Sequence, residues 1–160
     1  MKQRNMTSVY LRSGGKLLLL KRQGSRVVND VWIGSAGGHF EKDELNDAEA
    51  CVLRELDEEL GLTSGDIGDL RLRYITLRHT AREVRVNYYF FAELENCGKE
   101  LISNEGELAW FAENEISTLP MPFTAGFVIK HYIEIGKHNT EIYGGVADGN
   151  GVVFTPMTEF

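Results

Sequence analysis

The order of apolar and polar residues divides the chain into strands, a helix, more strands and a second helix. Thr7 to Arg12 reads as a strand, and Lys16 to Arg22, built on four leucines, reads as another. The Gly14-Gly15 turn between them makes the pair a hairpin. A polar loop follows from Gln23 to Asp30, basic early on at Lys21, Arg22 and Arg26. Val31-Trp32-Ile33 is a short apolar strand that leads into Ala36-Gly37-Gly38. The period then changes. Ala48, Val52, Leu53, Leu56 and Leu60 form one stripe at helical spacing, so a helix is predicted over about Asp47 to Leu60. Asn46 serves as its cap, Glu49 completes a capping box, and Gly61 ends it.

Alternation returns from Leu70 to Leu77 and from Val84 to Leu94. Glu107 to Phe111 is a short strand, and Glu113 to Leu119 a helical turn ended by Pro120. Phe123 to Gly136 reads as a second helix. Thr140 to Phe154 reads as a glycine-rich hairpin about Asp148 to Gly151. With no repeat or linker, residues 1–160 are expected to form one α+β domain, its helices packed on a mixed sheet.

Composition narrows the function. A net charge of −7, with no basic stripe, argues against a nucleic-acid polymer as partner. Only two cysteines are present, Cys51 and Cys97, which gives no disulfide framework. The longest early apolar run, Leu17 to Leu20, is too short to span a membrane. A cytoplasmic protein without membrane contact is the expectation.

The chemistry concentrates on the first helix. Glu58 lies about 60° from Glu55 around the helix axis, and Glu59 about 40° on the other side. Three carboxylates in one arc of roughly 100° repel, and a divalent cation reverses that cost. Hard oxygen ligands suit Mg²⁺ or Mn²⁺, with phosphate oxygens and water completing the shell. Such an ion activates water for attack on phosphorus, and a nearby glutamate takes the proton. Arg54, four residues before Glu58, is within reach to orient its carboxylate.

The stretch from Gly38 to Leu62 resembles the signature of the Nudix hydrolases. That signature is Gly, five residues, Glu, seven residues, Arg-Glu, an aliphatic, any residue, Glu-Glu, any residue, Gly and an aliphatic. Arg54-Glu55-Leu56-Asp57-Glu58-Glu59-Leu60-Gly61-Leu62 matches its second half throughout. Two departures stand out. Nine residues separate Glu44 from Arg54 where the signature has seven, so a two-residue insertion is inferred before the helix, and the role of Glu44 stays open. Ala36 replaces the proline that commonly precedes the two glycines.

The resemblance implies an α/β/α sandwich and a pyrophosphohydrolase that binds metal through Glu55, Glu58, Glu59 and a glycine-loop carbonyl, here Gly37. It also implies a small-molecule nucleotide substrate, a nucleoside triphosphate or an oxidised one such as 8-oxo-dGTP, or another nucleoside diphosphate derivative. Glu55 is the first choice for the base, with Arg54 and Glu44 as further catalytic candidates. Glu105 or Glu107, ahead of Trp110, is a candidate extra ligand or base. The subclass marks of ADP-ribose, diadenosine polyphosphate and NADH hydrolases are missing, so no substrate is selected. Gly38, His39 and Trp32 are candidate substrate contacts, although Trp32 suits a core role equally. Arg71, Arg73, Arg78, Arg82 and Arg85 surround one hairpin, as phosphate contacts or, more commonly, a solvated edge. Two readings stand beside hydrolysis: an isopentenyl-diphosphate-isomerase-like enzyme and a nucleotide-sensing module. A homodimer is compatible with all three.

Overall fold

The computed structural model describes residues 1–23 and 30–158. Most of the predicted loop between Gln23 and Asp30, with Arg26, lies outside them. Among the described residues, eight strands form one mixed sheet. The strands are β1 (Lys2–Ser13), β2 (Lys16–Arg22), β3 (Trp32–Gly34), β4 (Ile67–His79), β5 (Glu83–Leu94), β6 (Gly106–Ala112), β7 (Tyr143–Ala147) and β8 (Val152–Pro156). Their order is β3-β2-β1-β5-β4-β7-β8, with β6 paired to β2. The helices are α1 (Ala48–Leu60), the single turn α2 (Glu113–Ile116) and α3 (Phe123–Glu134).

Alternating side chains of the central strands feed two cores, one on each face of the sheet. Val52, Leu56 and Leu60 of α1 pack with Val9, Leu11, Leu18, Phe90 and Ala92. Val128, Ile129 and Tyr132 of α3 pack on the opposite face with Tyr10, Leu17, Leu19, Tyr74 and Phe91. The sheet between the two helices makes the α/β/α sandwich.

Several boundaries moved, each for a physical reason. β1 begins at Lys2 rather than Thr7, because it runs parallel to β5 from Lys2↔Glu83 to Arg12↔Glu93. Its first half is half-exposed and carries little apolar signal. The cap of α1 is Asp47, not Asn46, and its side chain accepts from the Ala50 amide at 2.9 Å. The capping pattern belongs one turn earlier. The amide of Glu41 donates to the Glu44 carboxylate at 2.9 Å across the 3-10 turn Lys42–Glu44. The C-terminal hairpin is β7–β8, turned where Asp148 accepts from the amides of Asn150 and Gly151.

Candidate active site

The glycine loop is laid along β1 like an extra strand. Val9 N donates to the Ala36 carbonyl at 2.9 Å, Thr7 N to Gly38 at 2.8 Å, and Phe40 N to Asn5 at 3.1 Å. The approach leaves no room for side chains. A Cβ on Gly37 would lie 2.2 Å from the Thr7 carbonyl oxygen, and one on Gly38 would lie 2.3 Å from Glu55 Oε1. Gly38 therefore sets where the Glu55 carboxylate rests. Gly38→Ala should leave the melting temperature nearly unchanged, because the clash is with a movable side-chain end. It should weaken the Mg²⁺-induced thermal shift, and an undiminished shift would break the link between Gly38 and Glu55.

Arg54 is the hub of the carboxylates. Its Nε donates to Glu44 Oε1 at 2.6 Å and its Nη2 to Glu44 Oε2 at 3.0 Å, a bidentate pair. Its Nη1 donates to Glu55 Oε1 at 2.9 Å and to Glu58 Oε2 at 3.1 Å, and Nη2 also reaches the His39 carbonyl at 3.1 Å. Glu44 is buried, and Arg54 holds its carboxyl down at about 2. With both oxygens of Glu44 committed to Arg54, its geometry is that of a positioning residue. Arg54 touches Glu44 and Glu55 as well as the Glu58 expected from sequence.

Glu55 and Glu59 behave differently. Burial raises the Glu55 carboxyl despite Arg54 beside it. Burial pushes Glu59 up to about 7, with neighbouring Glu55 and Glu105 adding to the rise. The amide of Gly37 donates to Glu59 Oε2 at 3.1 Å and opposes it. Carboxylates crowd this spot, and the oxygens they offer are hard donors. That chemistry fits a divalent cation. Among the described residues, no three acidic, histidine or cysteine side chains already converge into a cage. Arg54 holds the Glu55 and Glu58 carboxylates, so ligation would need them to turn from the guanidinium.

A cavity of about 360 Å³ opens beside this loop. Its wall includes Gly37, His39, Glu59 and Glu105, then Arg4, Arg22, Arg78 and Arg85, together with Tyr10, Asn87, Tyr89 and Phe123. The structure thus brings Glu105 to the same wall as Glu59. Glu107 pairs across from Lys21 on β6 and is exposed. Gly38 packs on Glu55, as above. His39 accepts from Arg4 Nε at 3.2 Å, and burial and the arginine charge lower its pKa. Trp32 stands edge-on to Phe111 at 4.7 Å, in the core layer under α3.

The arginines of the β4–β5 hairpin divide. Arg73 is buried and donates to the carbonyls of Gly136 and Glu141, at 2.7 and 2.9 Å. Arg71 pairs with exposed Asp69, and Arg82 is exposed. Arg78 and Arg85 reach the cavity. Arg4 and Asn87 escaped sequence reasoning. Arg4 precedes any apolar alternation, and Asn87 is one of several polar residues on β5, beside Glu83, Arg85 and Glu93. No local pattern marks either.

Comparison with known proteins agrees with this layout. The model of the NUDIX domain matches residues 1–132. A mutator MutT protein from Bacillus halodurans superposes with a TM-score of 0.70 at 23% identity, over 89% of this chain and 88% of its own. A NUDIX hydrolase from Nitrosomonas europaea gives 0.69 at 18% identity, over 92% and 80%. The NUDIX domain of Shewanella oneidensis NrtR, in complex with ADP ribose, gives 0.61 at 17% identity, over 84% and 87%. No curated protein sequence matches. No helix among the described residues is long and apolar enough to cross a membrane. With the Arg54–Leu62 run on the last turns of α1 and its glycine cap, and the domain match spanning most of the chain, the chain belongs to the NUDIX domain family of pyrophosphohydrolases.

Proposed function

We propose that the chain hydrolyses a phosphoanhydride bond of a nucleoside diphosphate derivative, by attack of water on phosphorus. Nucleoside triphosphates, including oxidised ones such as 8-oxo-dGTP, are the leading substrate class. One observation carries the reading: Glu59 meets the glycine-loop amide of Gly37 at the wall of an arginine-lined cavity, with Glu55 and Glu58 beside it on α1. Glu55, Glu58 and Glu59 would hold Mg²⁺ or Mn²⁺ together with the Gly37 carbonyl. The Ala36 and Gly38 carbonyls are both occupied by β1 amides. The ion supplies neutralisation of phosphoryl charge and an acidified water.

The chain's own groups do the rest. Arg54 holds Glu55 and, through Glu44, ties the loop to α1. Glu55, desolvated and basic for a carboxylate, takes the water's proton. Glu105 is the second candidate for that proton, being on the same wall. Arg22 and the Gly37 loop orient the diphosphate. The cavity accepts the nucleoside.

The test is incubation with Mg²⁺ and a panel of nucleoside triphosphates, dinucleotides, ADP-ribose and nucleotide sugars, assaying phosphate and pyrophosphate. Turnover of at least one member is expected. Tight binding without turnover of any member would replace hydrolysis with nucleotide sensing.

Metal affinity should depend on pH. Glu59 titrates near 7, so an incoming cation displaces a proton below that value. Calorimetry should show Mg²⁺ affinity rising from pH 6 to pH 8 with proton release that fades. The sign for the metal-free protein is opposite. A carboxyl raised on folding contributes stability below its unfolded pKa near 4.3, lost as pH rises through about 7. The Mg²⁺-induced rise in melting temperature should therefore be larger at pH 8 than at pH 6. Equal rises would mean that Glu59 does not ligate.

A further inference from the structure

We infer that the cavity carries a second anion site, remote from the glutamates, and that the substrate bears a further phosphate on its nucleoside or sugar part. The inference rests on the hydrolase reading only in placing the scissile diphosphate at the Glu59 end. Its foundation is the register of three adjacent strands. Arg4 of β1 stands opposite Arg85 of β5, and Arg85 stands opposite Arg78 of β4. Three guanidinium-bearing residues thus form one row across the sheet, on the face that walls the cavity. Like charges directly opposite are destabilising. Neighbouring strands lie only about 4.8 Å apart.

The compensation for this row is thin. Glu83 is the carboxylate that meets it, pairing with Arg85 Nε at 2.5 Å and Arg4 Nη1 at 3.4 Å. Arg4 also donates to the ring of His39, which brings no negative charge to the row. Arg78 lies over the Phe123 ring at 5.1 Å and has no carboxylate partner among the described residues. The row is thus a cluster of positive charge facing a cavity.

Two further features point at the same space. Phe123, Thr124 and Ala125, the first turn of α3, lie on the cavity wall. That turn has no side-chain cap and no acidic residue, so its amides and its positive dipole end are offered to whatever sits there. One row deeper, opposite Met6, Asn87 also lines the cavity. Its Oδ1 is buried without a hydrogen-bond partner, while Nδ2 reaches Tyr89 Oη at 3.5 Å. A ligand with an anion at the arginine row and a hydrogen-bond donor beside it satisfies all three at once.

The spacing separates this site from the metal end. Gly37 packs on Thr7, three residues along β1 from Arg4, or about 10 Å. The row extends a further one and two strands away. A single diphosphate bound at Glu59 does not cover both ends, whereas a nucleoside with phosphates at two positions does. The volume of about 360 Å³ is at the small end of ligand pockets and is nucleoside-sized.

The probe pair is adenosine 3′,5′-bisphosphate and AMP, titrated calorimetrically into the full chain with Mg²⁺. Neither has an anhydride, so turnover does not intrude. The bisphosphate should bind at least tenfold tighter than AMP, and the ratio should fall towards one in Arg78→Gln and in Arg85→Gln. Arg85→Lys should restore part of it. Because Arg85 also pairs with Glu83, a variant that fails to fold leaves Arg78→Gln, whose contact is the Phe123 ring, to decide. A ratio near one in the wild type, or an unchanged ratio in Arg78→Gln, overturns the second site. If the ratio behaves as expected but no anhydride is hydrolysed in the panel, the hydrolase reading falls and the anion site stands.

Discussion

Glu59→Gln is expected to cut kcat by a factor of about 10²–10⁴ with little loss of fold, the largest functional effect of any single change here. The magnitude follows from the several kcal/mol that a ligated cation contributes at phosphorus. Glutamine keeps the shape and can still accept from the Gly37 amide at 3.1 Å. It removes the charge that a cation needs. It also removes a group that burial holds near pKa 7 and that repels Glu55 and Glu105. The metal-free variant should therefore be at least as stable as the wild type at pH 8, while losing most of the Mg²⁺-induced thermal shift. Steady-state kinetics and melting with and without Mg²⁺ decide it. A variant retaining more than a tenth of wild-type kcat would remove Glu59 from the metal site.

Arg54→Ala should be the most destabilising change in the site. It leaves Glu44 buried with no counter-ion, and breaking a buried pair costs about 3–5 kcal/mol. Arg54 retains 22% side-chain exposure and Glu44 9%, so water recovers part of that. A loss of about 2–3 kcal/mol, or roughly 4–12 °C in melting temperature, is expected. Arg54→Lys should recover only part, because an ammonium cannot make the bidentate pair. Glu44→Gln should flatten the acid limb. A carboxyl depressed to about 2 contributes stability that is present above its unfolded pKa near 4.3 and lost as pH falls through about 2. The variant has no such increment to lose. If Arg54→Ala melts within a degree of wild type, the hub is decorative.

The strands and helices were largely legible because most obey their own period. The Arg54–Leu62 run was legible because its charges fall at fixed helical offsets. Glu44 was not. Nine residues, against seven in the signature, separate it from Arg54, and only the 3-10 turn Lys42–Glu44 brings it to a bidentate pair at 2.6 and 3.0 Å. The cap was misplaced by one residue, since Asn46 and Asp47 carry equivalent capping groups and only backbone geometry chooses between them. Arg73 shows the opposite error. It is one charge among five on a hairpin, yet it is buried and pins the C-terminal segment through three acceptors.

What the chain determines by itself is therefore local: the helix, its carboxylate arc, the double glycine and the reaction class that these imply. The tertiary structure decides what is assembled from distant segments. Parallel pairing of β1 with β5 places Arg4 beside Arg85, 81 positions apart in numbering, and antiparallel pairing adds Arg78. Helical offsets are set by bonds within one turn, so they show in a window of a few residues. Strand register is set by hydrogen bonds between segments whose separation in sequence is arbitrary, so no window contains it. The carboxylate arc of α1 belongs to the first kind of information, and the arginine row across β1, β5 and β4 belongs to the second.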